Sequence, residues 1–363
     1  MDLKFEYSQN NHYKWGFGNE WHNTPSPDKQ YQIHLGYCTR PVKRFREECI
    51  TAAELIAKNA TQPIIVGLSG GSDSQMVCLS YLELGIPIKA VIVKMFNKYN
   101  NLINGYDIKT AYEFCKKYSI EYIEHEINVH EFYHGKAREY SEKYGFGNPN
   151  TIIQCSTMDL VCQDYCYIMA GGDVVIEPYP SHKTPDISNP LIPNLKHNIV
   201  VPSWLMGPQP IMQHMMTMGY EGTSKFYLYT PELIASYLTD SAVTDFLRSS
   251  NIIYEVFFRE TPKDVNWWQC FSMYFKPLMT MREWPEIVPA RKYTGFELLQ
   301  ITERSDSTPE NYEVLLRRYT KGMSGSQMIA TPISDLIEYV TTPHTHALKA
   351  TRWNRAGIFN FEF

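Results

Sequence analysis

Long apolar runs are missing from this sequence. None approaches the roughly 20 residues that a membrane-spanning helix needs, so no membrane association is expected. A surplus of positive charge is missing too. Lys and Arg number 34 against 39 Asp and Glu, a formal net charge of −5, whereas a general nucleic-acid coat is usually basic. The opening residues Met1-Asp2-Leu3-Lys4-Phe5-Glu6 lack the basic start and apolar stretch of a secretory signal, so a cytoplasmic protein is expected. The eight cysteines (Cys38, Cys49, Cys78, Cys115, Cys155, Cys162, Cys166 and Cys270) are scattered and read as reduced thiols. Cys-x-x-Cys pairs, internal repeats and low-complexity tracts do not occur.

What is present is length and aromatic rings. The 363 residues, 44% hydrophobic and 20% charged, suffice for a large core and for one large or two to three ordinary domains. There are 26 Tyr, 17 Phe and 7 Trp, which fit thick packing layers or flat-ligand surfaces. Residues 61–132 hold nine of these rings and residues 226–296 hold sixteen. The later segment is therefore expected to be a large packing interface or the wall that recognises a substrate.

Residues 1–45 form a polar, aromatic lead-in. From Val42 to Lys58, Phe45, Cys49, Ala52, Ala53, Ile56 and Ala57 recur at helical spacing. Pro63 to Leu68 reads as a buried strand, and the residues from Met76 to Leu84 as a helix closing at Gly85. Ile88 to Val93 is a second strand, Asp107 to Tyr118 a helix and Glu121 to Ile127 a third strand. Thr151 to Tyr167 reads as helical, followed by strand and turn through Asp173. Thr230-Pro231-Glu232 is a helix start, with Thr as N-cap and Pro in the first turn. Asp264 to Met281 and Pro309 to Tyr319 also read as helices. The alternation predicts an α/β protein: a parallel twisted sheet with helices on both faces, followed by a mainly helical C-terminal region.

Between the first strand and its helix lies Ser69-Gly70-Gly71-Ser72-Asp73-Ser74. Its glycines permit close backbone approach, and the helix start supplies free N–H groups and a positive dipole end. Ser69, Ser72 and Ser74 add hydroxyl donors, so the turn is an anion cradle suited to phosphate. Asp73 would repel a bare phosphate and makes sense with Mg²⁺ bridging the two. Neither a Walker A loop nor Gly-x-Gly-x-x-Gly occurs here.

The hexapeptide resembles the Ser-Gly-Gly-x-Asp-Ser signature of the N-type ATP pyrophosphatases, the PP-loop superfamily. The strand–helix order extends the resemblance over roughly residues 45–240, and residues 46–240 are taken as that domain and 241–363 as a helical, aromatic-rich region. The resemblance implies ATP and Mg²⁺ as cofactors. It implies cleavage between the α- and β-phosphates, transfer of AMP to a substrate oxygen and release of pyrophosphate. Ser69, Gly70, Gly71, Ser72 and Ser74 would hold the pyrophosphate end and Asp73 the Mg²⁺. The end of the second strand, Val93, Lys94, Met95 and Phe96, would lie along the adenine. Asp173, in the turn Gly171-Gly172-Asp173, would supply a second metal contact, with Gly172 giving close backbone approach to the nucleotide and Glu177 a weaker candidate. A cation on the α-phosphate is expected from Lys94, Lys183, Lys225, Arg291 or Lys292, with Lys225 and Lys292 preferred as catalytic.

The acceptor is expected to be a small molecule more than tRNA, although Arg40, Lys43, Arg44 and Arg46 make a local basic stretch. A homo-oligomer is compatible with the sequence. Asp at position 2 argues against an N-terminal cysteine glutaminase of the kind some relatives carry. Two rival readings remain open from the sequence. One resembles the sulfonucleotide reductases, which need a reactive cysteine near the C-terminus, whereas the last cysteine here is Cys270. The other is a non-catalytic nucleotide sensor or assembly protein. Cys155, Cys162 and Cys166 at helical spacing read as a buried face, and His130 and His134, with His125 nearby, as a pair without a third metal ligand.

Overall fold

The computed structural model describes residues 13–20, 31–144, 149–171, 177–178, 199–203, 209–241, 276–288, 329–349, 352–354 and 357–359. A five-stranded sheet organises them. Its strands are β3 (Ile64–Gly67), β4 (Ile88–Phe96), β5 (Glu121–Asn128), β6 (Cys166–Ile168) and β9 (Gly222–Thr223), in the order β5-β4-β3-β6-β9 with every pairing parallel. The predicted α/β architecture is the observed one.

Strand alternation divides the hydrophobic residues between two cores, because successive side chains point to opposite faces. Ile64 and Val66 of β3, with Ile88, Ala90 and Ile92 of β4, join the core made with α1 (Phe45–Asn59), α2 (Ser72–Glu83), α3 (Gly105–Tyr118) and α8 (Pro231–Leu238). Ile65 and Val91 join the opposite core, made with α4 (Val129–His134), α5 (Lys136–Tyr144), α6 (Pro149–Val161) and α7 (Gln209–Met218). The chain steps outward from β3 to β4 to β5, then returns to β6 on the other side of β3. That reversal opens a crevice at the carboxyl ends of β3 and β6, where open α/β sheets bind their ligands.

The predicted helix starts hold well where local chemistry sets them. Thr230 caps α8, its hydroxyl accepting from the Leu233 N–H at 3.1 Å, with Pro231 in the first turn. The helix predicted to run from Thr151 to Tyr167 stops at Val161 instead. Cys166 therefore belongs to β6, and Cys155, Cys162 and Cys166 do not share one helix face. All three are buried, and burial raises each thiol's pKa, that of Cys166 to about 12.

Outside the main sheet, β1 (Tyr13–Phe17), β2 (Tyr31–Leu35) and β11 (Leu348–Lys349) pair antiparallel. So do β7 (Glu177–Pro178), β8 (Ile199–Ser203) and β10 (Ile329–Pro332), and likewise β12 (Arg352–Asn354) with β13 (Gly357–Phe359). The described part of residues 241–363 combines these late strands with α9 (Lys276–Glu283) and α10 (Ile333–Thr341). The predicted helices 264–281 and 309–319 fall largely outside the described residues. Phe45 packs against Tyr227, Tyr237 and Trp284, all buried, so the described late aromatics build an interface with α1.

Candidate functional site

β3 pairs as far as Gly67, and the Leu68 N–H still reaches Val91 O at 2.9 Å. Ser69 to Gly71 then turn the chain into α2. Gly70 has φ +78°, and a Cβ there would stand 2.7 Å from the Asp107 carbonyl oxygen and 3.0 Å from the Ala111 nitrogen. The first turns of α3 thus rest directly on the loop, and only glycine meets both the dihedral and the space. Gly71 is the N-cap of α2 and brings no side chain, so no capping side chain stands between the start of the helix and the crevice. Serine hydroxyls brace the turn: Ser74 Oγ donates to Gly71 O at 3.0 Å and accepts from the Ser69 N–H at 3.3 Å.

A buried clamp holds this loop from behind. Gln75, fully buried, donates to Gly70 O at 2.8 Å and Val288 O at 2.9 Å, and accepts from the Val288 N–H at 2.8 Å. One amide side chain thereby ties the glycine turn to the segment after α9.

The loop opens onto a cavity of about 190 Å³ at the carboxyl ends of β3, β4 and β6. Ser69, Gly71, Asp73 and Ser74 line one end, and Val93 and Met95 line another wall. Lys94 and Phe96, predicted beside them, fall on the opposite face of β4. The Lys94 ammonium lies 2.5 Å from Glu126, 3.1 Å from Glu124 and 5.6 Å from the Phe96 ring centroid. Period-two alternation is the reason, and it narrows four consecutive candidates to Val93 and Met95.

Asp73 sits in the first turn of α2 and accepts a 2.7 Å hydrogen bond from the Tyr227 hydroxyl. Lys225, expected at the α-phosphate, is only 1% exposed. Its ammonium lies 5.3 Å from the Tyr13 ring centroid rather than on the cavity wall. Gly172, Asp173, Lys183, Arg291 and Lys292 lie outside the described residues.

Sequence reasoning missed four contributors. Asp107, 7% exposed, brings a second carboxylate-bearing side chain to the cavity from α3. Asn104 lines it and spans β4, donating to Val93 O at 2.8 Å and accepting from the Met95 N–H at 2.9 Å. Gln154 of α6 accepts from the buried Tyr167 hydroxyl at 2.7 Å, and Thr157 lines the same wall one turn on. Thr157 Oγ1 is 3.1 Å from Nδ1 of His125. Burial, aided by nearby Lys136, lowers that imidazole's pKa to about 4, so it is neutral at pH 7. A polar residue ahead of α3 was the available signal for Asn104. Nothing local marks Gln154, whose place depends on how α6 packs on β6.

Among the described residues, no group of three or more His, Cys, Asp and Glu side chains forms a ready metal cage. Mg²⁺ needs none: it is held through one or two carboxylates with phosphate oxygens and waters completing the shell. The carboxylates of Asp73 and Asp107, two residues lining the cavity beside the N-terminus of α2, are hard oxygen donors of the kind that requirement calls for.

The basic stretch is largely neutralised. Arg40 pairs with buried Glu48, Arg44 with Glu283, and Arg46 with Glu83 and Glu286. These arginines fasten α1 to its surroundings, and paired guanidiniums make a poor footprint for RNA. No described helix is long and apolar enough to cross a membrane.

No protein-family model matches the chain, and no curated protein matches it. Among solved structures, NMN synthetase from Francisella tularensis aligns at 16% identity and a TM-score of 0.27, over 35% of this chain and 53% of its own. The chain thus spans about half the length of that protein. The NH3-dependent NAD synthetase from Campylobacter jejuni subsp. jejuni NCTC 11168, in complex with the nitrate ion, aligns at 14% identity and a TM-score of 0.29, over 68% of this chain and 96% of its own. At these values neither likeness carries an argument about activity, which rests on the site itself.

Proposed function

We propose that the chain binds Mg·ATP in this cavity and transfers AMP to an acceptor oxygen. The acceptor oxygen forms a bond to the α-phosphorus as the bond between that phosphorus and the α,β-bridging oxygen breaks, and pyrophosphate leaves with that oxygen. One observation carries the reading. The glycine turn with its open helix N-terminus, the Asp73 carboxylate and the Val93–Met95 wall all face one cavity at the sheet's switch point.

On this reading the N–H groups at the start of α2 hold the departing pyrophosphate, and the Gly70 turn lets backbone approach it without a side chain in the way. Asp73 and Asp107 would hold Mg²⁺, which neutralises phosphate charge when bound. Tyr227 orients Asp73. Asp173 and Lys292 are proposed as the second metal contact and the α-phosphate cation. Residues 46–240 are proposed as the catalytic unit. The acceptor is proposed to be a small molecule; Gln154, held by Tyr167, stands on the wall where it would bind.

The test is release of pyrophosphate and AMP from Mg·ATP in the presence of candidate acceptors. Asp73→Ala is expected to lower it by about a hundredfold or more, the scale of losing one group that stabilises transition-state charge. Unchanged release in that variant would remove the assignment.

A further inference from the structure

The edge of β4 beyond β3 is where a ligand's base would meet backbone, and the chain has already filled it with its own amide. β3 pairs no further than Gly67 opposite Val91, whereas β4 continues to Phe96. Past the Leu68–Val91 bond, the next carbonyls on that side are those of Val93 and Met95. Met95 O accepts from the Ile103 N–H at 2.8 Å, and the Asn104 carboxamide takes both Val93 O and the Met95 N–H.

Two features set Asn104 apart from a loop asparagine serving its own helix. It is the N-cap of α3, where an asparagine ordinarily accepts from the helix's free N–H groups, yet its side chain makes no capping bond. It is 4% exposed and lines the cavity together with Val93 and Met95. The side chain has forgone its cap to cover a donor–acceptor pair inside the cavity.

We infer that Asn104 is a placeholder for the amino edge of the nucleobase, a competitor that any base entering along this edge must displace. This rests on the nucleotide reading above. A carboxamide offers N–H₂ beside an acceptor oxygen. Adenine offers its 6-amine beside a ring nitrogen acceptor, which is why amides and adenine pair with the same kind of edge. An adenine entering along Val93 and Met95 takes over both bonds as the Asn104 side chain swings out. A base without that amine leaves Val93 O stripped of its partner, an unfavourable exchange. Apparent affinity is lowered by the fraction of molecules in which the amide sits on the edge, so removing the amide raises it.

The experiment measures binding of three probes to the full chain: Mg·ATP, the Mg complex of purine riboside triphosphate (no 6-amine), and Mg·tripolyphosphate (no base). Asn104→Ala is expected to tighten Mg·ATP about tenfold, the scale of two modest competing hydrogen bonds. The gain should be about the same without the 6-amine, since that base displaces the same amide and binds more weakly to wild type and variant alike, and vanish for tripolyphosphate, which displaces nothing. Asn104→Asp, nearly isosteric, keeps the bond from Met95 N–H but repels Val93 O. It should give a gain between the two and guards against a folding defect in the alanine variant. A wild type that binds Mg·ATP, with variants that bind it equally or more weakly, or a gain shared equally by tripolyphosphate, overturns the inference alone. A wild type that binds neither Mg·ATP nor tripolyphosphate overturns the nucleotide reading itself.

Discussion

The Tyr227 hydroxyl donates to Oδ1 of Asp73 across 2.7 Å, joining the turn before α8 to the first turn of α2. The two residues are 154 positions apart in sequence. This bond holds the carboxylate beside the glycine turn, and it comes from a ring that also packs against Phe45 and Tyr237.

Tyr227→Phe deletes that bond and keeps the ring. Partners that orient a metal-binding carboxylate are typically worth 10–100-fold in metal affinity or activity. The variant should therefore keep its fold, require more Mg²⁺ for half-maximal pyrophosphate release, and lose less activity than Asp73→Ala. A Mg²⁺ titration of both variants checks the order.

Two glycines with similar dihedrals separate backbone strain from close approach. Gly70 and Gly85 have φ of +78° and +68°, but only Gly70 would drive a Cβ into neighbouring backbone, and at Gly85 nothing lies within 4 Å. Gly85→Ala should cost about 1–2 kcal/mol, the left-handed penalty alone. Gly70→Ala should cost more and weaken Mg·ATP binding, because α3 must shift off the loop. Denaturant melts with nucleotide titration measure both.

Gln75 tests the clamp behind the loop. Gln75→Met keeps the volume but leaves Gly70 O and both polar groups of Val288 without this partner. Stranding buried polar groups costs about 1–3 kcal/mol each when no water reaches them, so a loss of about 2–4 kcal/mol is expected overall. Chemical denaturation reads the stability. Faster amide exchange at residues 69–71 would mark the released loop.

The acid limb of the stability curve should fall in two stages. His125, buried and neutral, has its pKa lowered from 6.5 to about 4. The unfolded chain binds its proton first, so this contribution is whole above pH 6.5 and drains as pH falls towards 4. Asp159 comes next. Burial works against its charge, but hydrogen bonds from His214 and Tyr140, with Lys136 nearby, hold its carboxyl well below the usual range. Its contribution is present above the unfolded value near 4 and is lost below it. Thermal melts from pH 8 to 3 should show both declines. His125→Gln should flatten the first and Asp159→Asn the second.

The sequence by itself determined the elements whose cause is local. A strand, a glycine turn and a helix start are specified within about a dozen residues by apolar runs, left-handed freedom and free N–H groups. The cradle from Ser69 to Ser74 and the cap at Thr230 were accordingly legible. Alternating strands and helices also fixed the parallel α/β architecture, since parallel strands need helical crossovers.

Tertiary structure decided everything that depends on which faces meet. Strand pleating turned Lys94 and Phe96 away from the cavity and kept Val93 and Met95. The return of the chain to β6 created the crevice, packing of α3 and α6 brought Asp107 and Gln154 to it, and the turn before α8 brought Tyr227 to Asp73. Lys225, adjacent to that turn, is buried with its ammonium over the Tyr13 ring. These outcomes are contacts between segments tens to hundreds of residues apart. They are set by how buried surfaces fit together, and no local pattern carries that information.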